Sequence, residues 1–121
     1  MADGPRRTET DDGVEVLVHG DRDALARRVL ADRAGVDAAA QRLLRLYLHA
    51  GFGADRGQFD LGTIEVLAAP AEDGGDVVLR YAFTGHADPH AEGYTYFDVV
   101  LAVRDPPQEP WWPVRFTVGF W

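Results

Sequence analysis

QFDLGTIEVLAA, residues 58–69, changes phase in its middle, and that change decides how the chain folds. Phe59 and Leu61 occupy odd positions, whereas Ile64, Val66 and Ala68 occupy even ones. Successive side chains of a strand point to opposite faces, so an unbroken strand would divide these five residues between two surfaces. One extra residue at Gly62-Thr63, a β-bulge, returns all five to one face. The segment reads as one strand of a sheet with a single apolar face.

The segments that follow agree. EDGGD (72–76) is a turn, and VVLRYAFT (77–84) directs Val77, Leu79, Tyr81 and Phe83 to one side. YTYFDVVLAV (94–103) does the same with Phe97, Val99, Leu101 and Val103, leaving Tyr94, Tyr96 and Asp98 opposite. DPPQEPWWP (105–113) is a rigid connector, and VRFTVGFW (114–121) is a last strand with Val114, Phe116, Val118 and Phe120 inward. Such strand-after-strand connections imply an antiparallel meander.

Upstream, VEVLVH (14–19) alternates as a first strand. Asp21 is placed to cap a short helix carrying Leu25, Ala26, Val29 and Leu30, with Gly35 as its stop. Asp37 is placed to cap a second helix, ended by Gly51, with Ala40, Leu43, Leu44, Tyr47 and Leu48 in one stripe. Leu46 lies off that stripe, which predicts a helix held between the sheet and the first helix or, less commonly, against a partner. Residues 1–12 are polar without a period and read as a disordered lead-in to a single domain over 13–121. The order β-α-α-β-β-β-β predicts an α+β two-layer sandwich, two helices packed on one face of a mainly antiparallel sheet. A cone-shaped sheet around a pocket, as in nuclear-transport-factor-like folds, is the alternative, although such domains begin with helices.

Composition narrows the chemistry. The 121 residues include no Cys, which removes disulfides, thiolate nucleophiles and Cys-based zinc sites. Ser is absent too, so no serine nucleophile exists. All 12 basic residues are Arg, as a GC-rich coding bias would produce. The net charge of −8 is unevenly spread: residues 1–56 carry ten acids against nine arginines, and residues 57–121 ten against three. An acidic half repels phosphate backbones, which argues against nucleic acid and favours a basic partner or cations. No apolar run approaches the length of a membrane span, and the opening MADGPRRTETDD lacks the apolar core of a secretory signal, so a cytoplasmic location is expected.

Three stretches could carry function. In GHADPHAEG (85–93), His86, Asp88, His90 and Glu92 fall on every second residue, the ligand types of a divalent metal such as zinc. Pro89 and the flanking glycines preclude a helix, and in an extended chain consecutive ligands stand about 6.5 Å apart. That spacing favours a solvated hairpin loop over a chelate. Asp98 sits among aromatic and aliphatic neighbours where partial burial would suit a base, but Arg80 has the same outward parity, and a cross-strand ion pair is the simpler expectation. Finally, Tyr94 and Tyr96 share the outer face, and adjacent residues of an extended chain cannot both point inward, so one of Trp111 and Trp112 needs another home. Tyr and Trp are the usual anchors of protein interfaces.

A small, Cys-free, acidic α+β domain without a catalytic motif resembles, in type and not by motif, the single-domain immunity proteins with which bacteria neutralise toxins, often basic nucleases. That resemblance implies a non-catalytic protein binding a basic partner, with Glu92, Tyr94, Tyr96, Asp98 and Trp112 as contacts. The second reading is a small-ligand or metal-dependent activity in a pocket between helix 2 and the sheet near the 85–93 loop, with Asp98 as its base. A homodimer joined through an open sheet face is a third.

Overall fold

In the computed structural model, which describes residues 4–52, 58–84, 95–105 and 108–120, the strand Gln58–Val66 slips by one residue between Leu61 and Thr63. Leu61 pairs with Tyr81, and Thr63 pairs with Arg80. Phe59, Ile64 and Val66 are consequently buried together, with Leu61 packed against the same core. Ala68 departs from expectation. The strand ends at Val66, and Ala68 lies exposed beside Gly20 in the following loop.

The elements run β1 (Arg6–Glu9), β2 (Glu15–Val18), α1 (Asp23–Ala31), α2 (Arg33–Phe52), β3 (Gln58–Val66), β4 (Val77–Thr84), β5 (Thr95–Val103) and β6 (Trp111–Phe120). Among the described residues, six strands form one sheet in the order β1-β2-β3-β4-β5-β6. Only β2–β3 is parallel, as the intervening helices require, and the other neighbours are antiparallel. The helices contribute Leu25, Ala26, Val29, Val36, Ala39, Ala40 and Leu44 to the core beneath the sheet's inner face. The α+β two-layer arrangement is therefore as expected, with one strand more.

That extra strand corrects the N-terminus. Arg6–Glu9, expected to be part of a disordered lead-in, pairs with β2 along its length. It has no apolar face and is exposed throughout, so its sequence carried no periodic signal. Backbone pairing and the Arg6–Asp23 ion pair at 2.6 Å hold it in place.

Three helix signals were also misplaced. The residue before α1 is Arg22, not Asp21, and it makes no side-chain cap. Gly35 does not end α1, which stops at Ala31; it lies in the first turn of α2. A Cβ there would stand 2.6–2.8 Å from the Asp32 carboxylate, so close approach rather than a helix stop accounts for the glycine. Asp32 accepts the first backbone bond of α2, from Val36 N–H at 3.0 Å, and its carboxylate accepts from Trp111 Nε1 at 2.6 Å. Asp37, expected as the cap, lies inside α2 and accepts the Tyr81 hydroxyl at 2.5 Å. Leu46 is 63% exposed, so α2 is not held between two layers.

Asp76 ties these layers together. Its carboxylate, almost wholly buried, accepts from Arg22 Nη2 and from the Val103 backbone N–H, each at 2.9 Å. Its own backbone N–H and C=O pair with Leu101 and Leu67. One residue thus joins the entry to α1, the end of β3, the start of β4 and the end of β5. Removing it leaves a guanidinium and a backbone donor without their partner, so Asp76→Ala is expected to cost about 3 kcal/mol. Asp60→Ala, at an exposed strand position, should cost under about 0.5 kcal/mol. Urea unfolding of the two variants checks this contrast.

Candidate functional site

The inner face of the sheet is consumed by packing. At the end where β4 leads into the 85–94 segment, Phe59, Phe83 and Phe97 stack on one another with centroids 4.8–5.9 Å apart. Tyr47 of α2 closes edge-on against Phe97 at 5.9 Å and Phe116 at 4.9 Å. These rings pack between helix 2 and this end of the sheet, beside the place where the second reading sets its pocket; the 85–93 loop of that reading lies outside the described residues. A shallow groove of about 280 Å³ does exist, but at the opposite end, lined by Asp32, Gly35, Ala39, Arg42, Glu109 and Trp111. The Tyr81 hydroxyl, buried and donating to Asp37, is held far above its ordinary pKa first by desolvation and then by that carboxylate. It is a structural donor rather than an acid.

No described helix packs on the outer face, which the turn before β4 overlies only at Val100 and Val114. Register places Glu15, Thr63, Arg80, Asp98 and Thr117 in one row across five strands. Arg80 forms a two-pronged pair with Asp98, Nε to Oδ1 at 2.8 Å and Nη2 to Oδ2 at 2.9 Å. The same guanidinium lies 4.8 Å from the centroid of Tyr96. Tyr96 pairs with Gly119 of β6, and a Cβ on Gly119 would run into the Tyr96 ring. The glycine gives the ring a flat bed, Arg80 stacks on it, and Asp98 holds Arg80. Each side chain restricts the next.

Further pairs flank this trio. Arg7 meets Glu15 at 3.3 Å and His19 meets Glu65 at 2.6 Å. The turn before β4 folds onto the face beyond Asp98: Asp73 accepts from Gly75 N–H and from Arg115, and Gly75 lies against Val100 and Val114. Both Gly75 N–H and the Arg115 guanidinium, in that order, hold the Asp73 carboxyl below the usual range. Asp12 is held lower still by Arg33, with Thr10 contributing.

Of the residues singled out in the sequence, Tyr96 and Asp98 are brought together, and Arg80 joins Asp98 as its parity required. Asp98 stands on the outer face, away from helix 2, which removes it from any pocket beneath that helix. Trp111 is buried and Trp112 is 45% exposed, with Arg104 stacked 4.7 Å from its ring. Trp112 pairs with Ala102, four residues along β5 from Asp98, so about 13 Å and the 71–76 turn separate it from the Tyr96 trio. His86, Asp88, His90, Glu92 and Tyr94 lie outside the described residues. Among the described residues, no group of three His, Asp or Glu is placed to hold a metal, and no helix is long and apolar enough to cross a membrane.

Gly119 was missed, and so was the second bulge that places it. The register of β6 slips opposite Val100 and Leu101, so Trp111 and Phe116 face the core despite opposite parity. Val114, expected inward, sits at that slip beside Gly75. The parity conflict between Trp111 and Phe116 was a usable signal, obscured by the prolines around it.

Charge follows the layers. The outer face sets Glu9, Glu15, Asp60, Glu65, Asp73 and Asp98 against Arg7, Arg80, Arg104 and Arg115, an acidic excess. Residues 23–52, the helical layer, set five arginines against three acids.

Two measurements test this geometry. Gly119→Ala should displace the Tyr96 ring and cost about 1–2 kcal/mol, but under about 0.5 kcal/mol in a Tyr96→Ala background. Asp12 and Asp73 have folded pKa values below their unfolded ones, so their stabilisation is complete at neutral pH and is lost as pH falls below about 4. The thermal midpoint should fall as pH drops through that range, and less steeply in Asp73→Asn. Searches of protein-family models, curated proteins and solved structures found no match to this chain.

Proposed function

We propose that this chain is a non-catalytic binding protein of bacterial immunity-protein type, which engages a basic protein partner in the cytoplasm through the outer face of its sheet. The observation that carries this reading is the Tyr96–Arg80–Asp98 trio on its glycine bed. Ordering side chains at an interface costs about 0.5–1.5 kcal/mol for each rotamer-rich group. A ring and guanidinium fixed before the partner arrives avoid part of that cost, and Tyr and Arg are the usual centres of binding energy. Trp112 is a second aromatic anchor on the same face, and Glu92 and Tyr94 in the adjoining segment belong to the proposed contact set. The acidic excess of this face attracts a basic partner, whereas the helical layer, with its arginine excess, does not. The aromatic packing under helix 2 supports this reading over one that needs a pocket there.

The test is to purify the protein retained by this chain from its native host and measure the affinity by calorimetry. A basic partner is expected, bound less tightly as salt rises, with Tyr96→Ala and Trp112→Ala each weakening it about tenfold or more. Finding no stable basic partner, or one indifferent to both substitutions, contradicts the proposal.

A further inference from the structure

β1 joins the domain without the burial that holds its neighbours. All four of its residues are exposed and none belongs to the core, whereas β2 beside it buries Val16 and Val18. Besides backbone pairing with β2, the strand and its turn are tied down by charge. Arg6 reaches Asp23 of α1 at 2.6 Å and Gly20 O at 2.8 Å, and Arg7 meets Glu15 at 3.3 Å. Asp12, in the turn between β1 and β2, accepts from both Nη atoms of Arg33 at 2.7 Å. The six side chains of these ion pairs keep 30–69% of their surface exposed. Exposed pairs of this kind are weak one by one and lose strength as salt screens them.

The backbone bonds of β2 divide between its two neighbours. Thr10 N–H donates to Val14 O at 2.9 Å. Bonded pairs alternate along an antiparallel ladder, so Thr8 exchanges both backbone bonds with Val16, and Arg6 with Val18. His19 N–H donates to Val66 O at 3.0 Å, so Leu17 N–H, two residues earlier, also points to β3. Adjacent amides of one strand therefore report on different attachments, Val16 on β1 and Leu17 on β3.

We infer that β1 is a strap closed by charge: it parts from β2 as a unit while β2 to β6 and both helices stay folded, and ionic strength sets how often it opens. Opening breaks the strap's backbone bonds and three exposed ion pairs, but takes no apolar side chain of β1 out of the core. β2 keeps its place, because Val14, Val16 and Val18 belong to the core and the pairing with β3 is untouched. Segments with few buried contacts and exposed backbone bonds open at free energies far below that of the whole domain. Closed, the strap covers β2 with a short charged edge, the kind that resists pairing with other chains. Open, it bares the amides of Val16 and Val18. This opening does not rest on the partner proposed above.

Amide hydrogen exchange of the full chain, followed by nuclear magnetic resonance at constant pH, tests it. In low salt Thr8 and Val16 should exchange at least about a hundredfold faster than Leu17. Urea below the unfolding transition should speed Leu17 with the slope of global unfolding and leave Thr8 and Val16 nearly unchanged, because opening the strap exposes little surface. Raising salt to about 1 M, where the screening length is about 3 Å, should speed Thr8 and Val16 about threefold or more. Arg6→Gln and Arg33→Gln should each speed both amides about twofold or more in low salt. Arg42→Gln, which removes the pair with Glu109 and none at β1, should leave them as they are. Val16 exchanging as slowly as Leu17, a shared urea slope, or rates indifferent to salt or to both β1 substitutions overturns the inference.

Discussion

One extra residue at Gly62 sets which way both halves of β3 face, and the rest of the sheet takes its orientation from that strand. β3 lies where the parallel pairing with β2 meets the antiparallel meander. Without the slip, either Phe59 and Leu61 or Ile64 and Val66 would turn away from the helices. Burying each such side chain contributes about 1.5–3 kcal/mol. Turning a pair of them outward would therefore forfeit about 3–6 kcal/mol, a large part of the roughly 5–15 kcal/mol that holds a domain together. The bulge is thus a condition of the fold rather than a defect in it.

Polar anchors then fix what the apolar pattern leaves free. Apolar stripes press the helices onto the sheet but do not set their sliding position, because burial is non-directional. Asp32 with Trp111, Asp37 with Tyr81, and Asp76 with Arg22 and Val103 are directional, and they pin the start of α2 and the entry to α1. No buried side-chain nitrogen or oxygen among the described residues lacks a partner. Asp32, Asp37 and Asp76 are therefore committed to holding the layers together. Charge also divides the layers, an acidic outer face against a helical layer with its excess of arginine.

Alternation exposed the five strands that bury one face, because burial imposes period two on the residues. It could not expose β1, which buries nothing, or the bounds of the helices. Gly35 and Asp37 resemble a stop and a cap in isolation; their roles depend on Asp32, Trp111 and Tyr81, two of them in strands over forty residues away in sequence. On the outer face, parity alone linked Arg80 with Asp98. It could not seat Tyr96 on Gly119, which needs the β5–β6 register and its second slip. Trp112 was legible for a simple geometric reason: Trp111 and its neighbour cannot share one core.

Cross-strand nuclear Overhauser effects between β3 and β4 measure the governing constraint directly. The slip predicts contacts of Thr63 with Arg80 and of Ile64 with Leu79, with Gly62 unpaired. Contacts of Thr63 with Leu79 and of Ile64 with Val78 would signify a continuous register, placing Ile64 on the face opposite Phe59 and contradicting the fold described.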